Sequence, residues 1–174
     1  MAEYWDLVDE ARQPTGETLR RGDEMPAGRY HTVIGVWTIH RHLGRILVTK
    51  RSPEKSVCPN VWENTGGSIL AGETSAEGAA REVREETGMD CHTADLAHIQ
   101  TLRIPTAFID CYIYLTDINP DAIVLQPGET VDWRWVTQAE LEALIEDGTF
   151  APPEIEQYNV CRDDLAAALA ALAD

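Results

Sequence analysis

Three glutamates, Glu82, Glu85 and Glu86, stand three and four residues apart in the run REVREET. On an α-helix, residues so spaced share one face, which would set the three carboxylates side by side. Like charges in that arrangement repel by about 0.2–0.5 kcal/mol per pair, and a helix that carries them usually has a compensating cation. Such a run is most often a solvated acidic face. The chemical alternative is a divalent metal. Mg²⁺ prefers carboxylate oxygens and water, and is commonly held by one or two carboxylates together with substrate phosphates.

The helix that would position them is specified at both ends. Thr74 and Glu77 make a T-x-x-E capping box, and Gly88 stands where a left-handed terminal residue belongs, which predicts a helix from Ser75 to Thr87. Ala76, Ala79, Ala80 and Val83 form a narrow apolar stripe, small enough for the helix to lie close to a sheet with its acidic face turned away. Arg81 is one turn before Glu85 and could pair with it or with Glu73, fixing carboxylate rotamers. Gly78 costs about 1 kcal/mol relative to Ala inside a helix, and its place toward the acidic side suggests a close approach there.

The stretch from Gly67 to Met89 resembles the Nudix box, G-x5-E-x7-R-E-U-x-E-E-x-G-U with U aliphatic. It matches at Gly67, Glu73, Arg81, Glu82, Val83, Glu85, Glu86, Gly88 and Met89. The resemblance implies an α/β fold, an α/β/α sandwich with a mixed central sheet, in which residues 67–89 form a loop-helix-loop platform. It also implies Mg²⁺-dependent hydrolysis of a diphosphate linkage in a small molecule such as a nucleoside diphosphate derivative, with Mn²⁺ a possible substitute. The expected metal ligands are Glu82, Glu85 and Glu86. The general base would be Glu85 or a carboxylate outside the box, and Glu73 and Arg81 would hold the platform in shape. Glu129, on a loop after the box, occupies the kind of position from which some Nudix hydrolases supply another ligand or base; it reads equally well as a solvated loop residue. Phe150 is expected, by resemblance alone, to line the substrate pocket.

A second resemblance covers most of the chain at lower specificity. The segment ILVTKRSPEKSVCPNVWENTGG is similar to the part of type I isopentenyl-diphosphate isomerases that carries an Arg and a Lys for the substrate diphosphate, which map onto Arg51 and Lys55. The likeness extends through YWDLVDEARQPTG and ETVDWRW, and it identifies the chain as a member of an isomerase-like hydrolase branch. The isomerases' Cys-Gly-His-Pro stretch is replaced by Gly66-Gly67-Ser68-Ile69, and Cys58 lies too early to stand in for the missing acid/base. Leu70 sits where many Nudix boxes carry a further glutamate, which leaves the number of metals open.

A length of 174 residues fits one domain, with residues 1–28 an N-terminal β extension. The net charge of −16 argues against extended nucleic-acid contact and against an anionic membrane. An anionic substrate must then enter through a local basic patch or already complexed with Mg²⁺. Cys58, Cys91, Cys111 and Cys161 show no metal spacing, and no signal or 18-residue apolar run is present, so a reduced, cytoplasmic setting is expected. Monomer and homodimer both remain open.

Along the rest of the chain, Tyr4–Val8 reads as a strand, followed by a turn through Pro14–Gly16 and a hairpin partner at Thr18–Arg21. His40 and His42 read as solvated turn residues. Asp110, within the apolar run AFIDCYIYLT, reads first as facing solvent and second as facing the site. Thr137 to Asp147 should form a helix with Leu141 inward, and the last helix follows Pro152-Pro153. Its stripe of Cys161, Leu165, Ala168, Leu169 and Leu172 would pack on the sheet or on a second subunit.

Overall fold

The computed structural model describes residues 2–173. It begins with an antiparallel hairpin of β1 (Tyr4–Val8) and β2 (Pro14–Arg20). The turn comes earlier than the Pro-Thr-Gly run suggests. Asp9 Oδ1 accepts the backbone N–H groups of Ala11 and Gln13, both at 2.9 Å, and Arg12 takes a φ of 60°. This Asx-type turn closes the hairpin before Pro14, which then opens the second strand.

The central sheet is mixed and has seven strands: β3 (His31–His40), β4 (Arg45–Arg51), β5 (Trp62–Glu63), β6 (Thr65–Ser68), β7 (Leu96–Ile104), β8 (Ala107–Thr116) and β9 (Thr130–Val136). β3 runs parallel to β8 along its whole length, and the other pairings are antiparallel. β3 and β4 pair only at Ile39–Ile46 and His40–Arg45 and then part. Past that point β6 takes over the edge of β3 from Val33 to Val36, while β5 and β9 pair with β4. The chain between β5 and β6 therefore crosses from one side of the split to the other at Asn64. This parting of two central strands opens the cleft that the site uses.

Helix α1 (Ser75–Thr87) covers one face, and α2 (Gln138–Glu146) and α3 (Pro152–Ala171) cover the other. The period-2 alternation of the strands feeds both layers. Ile34, Val36, Leu47, Tyr112 and Tyr114 meet Ala79, Ala80 and Val83 of α1, whereas Trp37, Ile39, Ile46, Val48, Ile109, Cys111 and Ile113 meet Leu141, Tyr158, Cys161 and Leu165. The α3 stripe is thus spent on this chain's own sheet. Among the described residues, no helix is long and apolar enough to cross a membrane.

Two polar residues of the strands depart from the sequence expectation. Asp110 faces neither solvent nor the box carboxylates, because β8 is a central strand covered on both faces. It is buried and accepts hydrogen bonds from Arg12 Nη1 and Nη2 at 2.8 Å each, from Ser75 Oγ at 2.7 Å and from Thr101 Oγ1 at 2.8 Å. Burial raises its pKa, but these donors outweigh it and the net position is below the ordinary value. His40 is buried as well. Its Nε2 donates to the Ile118 carbonyl at 2.9 Å, and its Nδ1 accepts the N–H groups of His42 and Leu43 at 3.2 and 3.3 Å, so it caps the turn from within. His42 is exposed.

Candidate active site

The platform helix forms as its caps dictate. Thr74 Oγ1 accepts the Glu77 N–H, the Glu77 carboxylate accepts the Thr74 N–H at 2.8 Å, and Gly88 adopts a φ of 70° while its N–H reaches the Arg84 carbonyl. Gly78 is buried, and what approaches it belongs to this chain. A Cβ there would lie 3.2 Å from Ile69 Cγ1 and 3.4 Å from Glu73 Oε2, so the glycine lets the loop before α1 fold onto the helix.

Arg81 is the hub of the platform. Its Nε and Nη2 donate to the two oxygens of Glu73 at 2.7 and 3.0 Å, its Nη1 donates to Glu82 Oε1 at 2.8 Å and Glu85 Oε2 at 3.2 Å, and Nη2 also reaches the Ser68 carbonyl. Hydrogen bonding to Glu73 is the leading cause that raises the Arg81 pKa and holds that of Glu73 low. The expected choice between Glu73 and Glu85 as partner is resolved by a guanidinium that takes both.

In front of the acidic face lies a cavity of about 470 Å³, floored by β3 and β6 at the parting of the sheet. Glu82, Glu85 and Glu86 line it from α1, Arg51 from β4 and Lys55 from the following loop, and Glu129 from the opposite rim. Glu82 lies against Gly67, where an added Cβ would sit 2.1 Å from Glu82 Oε1. Both cations are already engaged. Arg51 donates to Glu63 Oε2 at 2.6 Å and to the carbonyls of Val57 and Cys58, and Lys55 is ion-paired with Glu129. Phe150 is not in the cavity. It is 1% exposed, stacked on Trp37 in the core beneath β5, because its backbone bridges to Trp62 and turns the ring inward.

The metal expectation can be weighed against the donors present. Glu86 Oε2 is buried without a hydrogen-bond partner, and burial, followed by the charges of Glu63, Glu82 and Glu129, drives the Glu86 pKa well up. Glu82 is also raised, chiefly by burial, despite Arg81. Among the described residues no three carboxylate, His or Cys side chains already converge as a metal cluster, since Arg81 holds Glu82 and Glu85. An unpartnered buried carboxylate beside two others suits an ion bound through few protein oxygens.

Three cavity residues carry no signal in the sequence. Glu63 becomes a buried partner of Arg51 only because β5 pairs antiparallel with β4, and burial leads the causes that raise its pKa. Glu154 reads as an ordinary first-turn acid of α3 but turns inward. Its Oε2 is buried without a partner, and burial plus Glu63 lift its pKa to about 7. Gln157, one turn on, is buried with Oε1 3.5 Å from Asn64 Nδ2. It fits there because Gly35 has no Cβ, which would come within 1.9 Å of that oxygen.

Residues 29–158 match the NUDIX domain family. A Nudix hydrolase of Listeria monocytogenes is 38% identical over 151 residues, covering 86% of this chain and 89% of the relative. An isopentenyl-diphosphate Delta-isomerase of Paenarthrobacter aurescens is 30% identical over 80% of this chain and 79% of the relative. The crystal structure of DR0079 from Deinococcus radiodurans is similar with a TM-score of 0.69 and 26% identity, covering 86% of this chain and 92% of that one.

Proposed function

The chain belongs to the NUDIX domain family and is a Nudix hydrolase, and from that premise we propose that it cuts a diphosphate linkage in a small molecule such as a nucleoside diphosphate derivative, using Mg²⁺, with Mn²⁺ as a substitute. The observation that carries the reading is Glu86, a half-buried residue whose Oε2 is buried and unpartnered in the wall of a cavity that also holds Arg51 and Lys55. Burying such a charge is costly unless a cation or donor arrives to meet it.

Glu82, Glu85 and Glu86 would hold the ion. Once bound it supplies Lewis-acid polarisation of phosphoryl oxygens and a lowered pKa for attacking water. The chain's own residues do the rest. Arg81 fixes the carboxylates, leaving Glu86 least encumbered. The planar guanidinium of Arg51 suits phosphate oxygens, and Lys55 adds a compact charge beside it. Glu85, half-exposed at the cavity, or Glu129 on the opposite rim takes the proton of the attacking water. Glu63 and Glu154 line the inner wall.

Relatives at this level of identity include an isomerase, yet that chemistry needs a thiol near position 66. Gly66 and Gly67 are there instead, and among the described residues no cysteine lines the cavity. All four cysteines are free, which supports a reducing, cytoplasmic setting. The test is a panel of nucleoside diphosphates, nucleotide sugars and isoprenoid diphosphates, with Mg²⁺ and with Mn²⁺, read by mass spectrometry. Hydrolysis of at least one member, abolished in Glu86→Gln, is the expected result. Wild-type turnover by Glu86→Gln, or isomerisation of isopentenyl diphosphate without hydrolysis, would overturn it.

A further inference from the structure

The family match starts at residue 29, so the β1–β2 hairpin lies outside it, yet the hairpin grips the catalytic platform directly. We propose that the hairpin is a working part of that platform and that Asp6 is a positioning residue, holding the loop 69–74 so that Glu73 and Arg81 keep Glu82 and Glu85 in place. This rests on the reading that α1 carries the ion-binding carboxylates.

Two hydrogen bonds join the hairpin to the loop. Ala71 N–H donates to the Tyr4 carbonyl at 2.8 Å, and Gly72 N–H donates to Asp6 Oδ2 at 2.8 Å. The second is charge-assisted, the stronger kind. Gly72 has a φ of 87°, which presents its N–H to the carboxylate at a position where other residues would be strained. The next residue is Glu73, whose own N–H returns to the Leu70 carbonyl at 3.0 Å and whose carboxylate holds Arg81. A displacement at Gly72 therefore reaches Glu82 and Glu85 through a relay of one guanidinium.

The hairpin is rigid enough to serve as an anchor. Leu7 is buried, Val8 and Tyr30 exchange backbone hydrogen bonds at 2.9 and 3.0 Å, and Trp5 stacks on His31 at 4.1 Å. At its turn, Arg12 makes the paired bonds to Asp110, and Asp110 also takes the hydroxyl of Ser75, the first residue of α1. The hairpin thus meets both the loop and the start of the helix. Between these attachments is a cavity of about 400 Å³ bounded by Leu7, Arg12, Ile69, Leu70, Glu73 and Ser75. On that side the loop is not close-packed, so hydrogen bonds must hold it, and there is room for it to move once Asp6 is gone.

The test uses the full chain in three readouts: hydrogen exchange of the metal-free protein over residues 69–74, calorimetric titration with Mn²⁺ alone, and kcat and KM on the best substrate of the panel. In Asp6→Ala, exchange over 69–74 should be about 10-fold faster, the Mn²⁺ dissociation constant about 10-fold higher and kcat about 10-fold lower with KM changed less than about 2-fold. Asp6→Asn keeps an oxygen acceptor and should recover most of each effect, and Asp6→Leu, close to Asp in shape but without an acceptor, serves in place of the alanine variant if that one does not fold. Unchanged exchange over 69–74, or faster exchange with Mn²⁺ affinity and kcat at wild-type values, would overturn the proposal. Glu86→Gln in the same titration separates the two levels. If it binds Mn²⁺ as tightly as wild type, the ion-platform reading falls and this proposal with it; if it loses Mn²⁺ while Asp6→Ala does not, only the role of the hairpin falls.

Discussion

Replacing Glu86 with Gln should make the metal-free protein more stable and the enzyme inactive in one step. The Glu86 Oε2 is buried with no partner, and Glu63, Glu82 and Glu129 all oppose its charge. An unsatisfied buried group costs about 1–3 kcal/mol, more when charged, and a neutral isostere removes the share due to the charge, about 1–3 kcal/mol. For a chain of this length each kcal/mol shifts Tm by about 2–4 °C, so Tm in EDTA should rise by about 2–12 °C at pH 7–8. The sign follows from the direction of the shift. A folded-state pKa above the ordinary 4.5 means that the folded form binds the proton more tightly, so stability is lost as pH climbs above 4.5, and the advantage of Gln should vanish toward pH 4. Mg²⁺ should reverse the order: at about 100 times its dissociation constant, wild type gains about 2.7 kcal/mol, and the variant gains little. Calorimetric scans in EDTA and in Mg²⁺, beside product release, give all three quantities. A lower Tm for Glu86→Gln in EDTA, or a Mg²⁺-induced rise equal to that of wild type, would refute the argument that this carboxylate waits for a cation.

Arg81→Lys should cut kcat by about 10–100-fold, because an ammonium cannot reproduce the fork that holds Glu73, Glu82 and Glu85 together; steady-state kinetics with saturating Mg²⁺ checks it. Phe150→Ala should cost about 3–5 kcal/mol in urea unfolding while leaving kcat per folded molecule unchanged, since the ring fills the core and not the cavity. Glu154→Gln should stabilise the metal-free protein by about 3 kcal/mol at pH 8 and by almost nothing at pH 4, because burial lifts Glu154 from 4.5 to about 7 and stability is surrendered across that interval. Urea titrations at the two pH values decide it.

The platform was legible because its signals are local. A capping box, a left-handed glycine and a fixed spacing of carboxylates lie within one helix, and Ser75–Thr87 forms with those caps. The two layers were legible too, since strand alternation marks inward residues. What escaped depends on pairings far apart in the chain. Glu63 meets Arg51 only through the pairing of β5 with β4, and Glu154 turns inward because α3 closes over the gap between β3 and β4. The sequence does not place Asp110 because its partner, Arg12, is 98 residues earlier on a hairpin turn. The resemblance implies a pocket position for Phe150, while one backbone bridge to Trp62 commits it to the core.

The charge arrangement bears on how an acidic protein admits an acidic substrate. The sequence leaves two routes open, a local basic patch or prior complexation with an ion, and the geometry bears on the first. Arg51 and Lys55 are not a free patch: Glu63 holds one and Glu129 the other. On the proposed function, a diphosphate would compete with these carboxylates for the two cations, in a cavity already holding Glu82, Glu85 and Glu86. Over distances shorter than the roughly 8 Å screening length at physiological salt, such a surplus of negative charge is not relieved by solvent ions. A divalent cation entering with the diphosphate relieves it at once, because it neutralises the incoming anion and gives the released and unpartnered carboxylates a counter-charge. On the proposed function, binding of the anion and binding of the ion would therefore be coupled through the ion pairs that already engage Arg51 and Lys55.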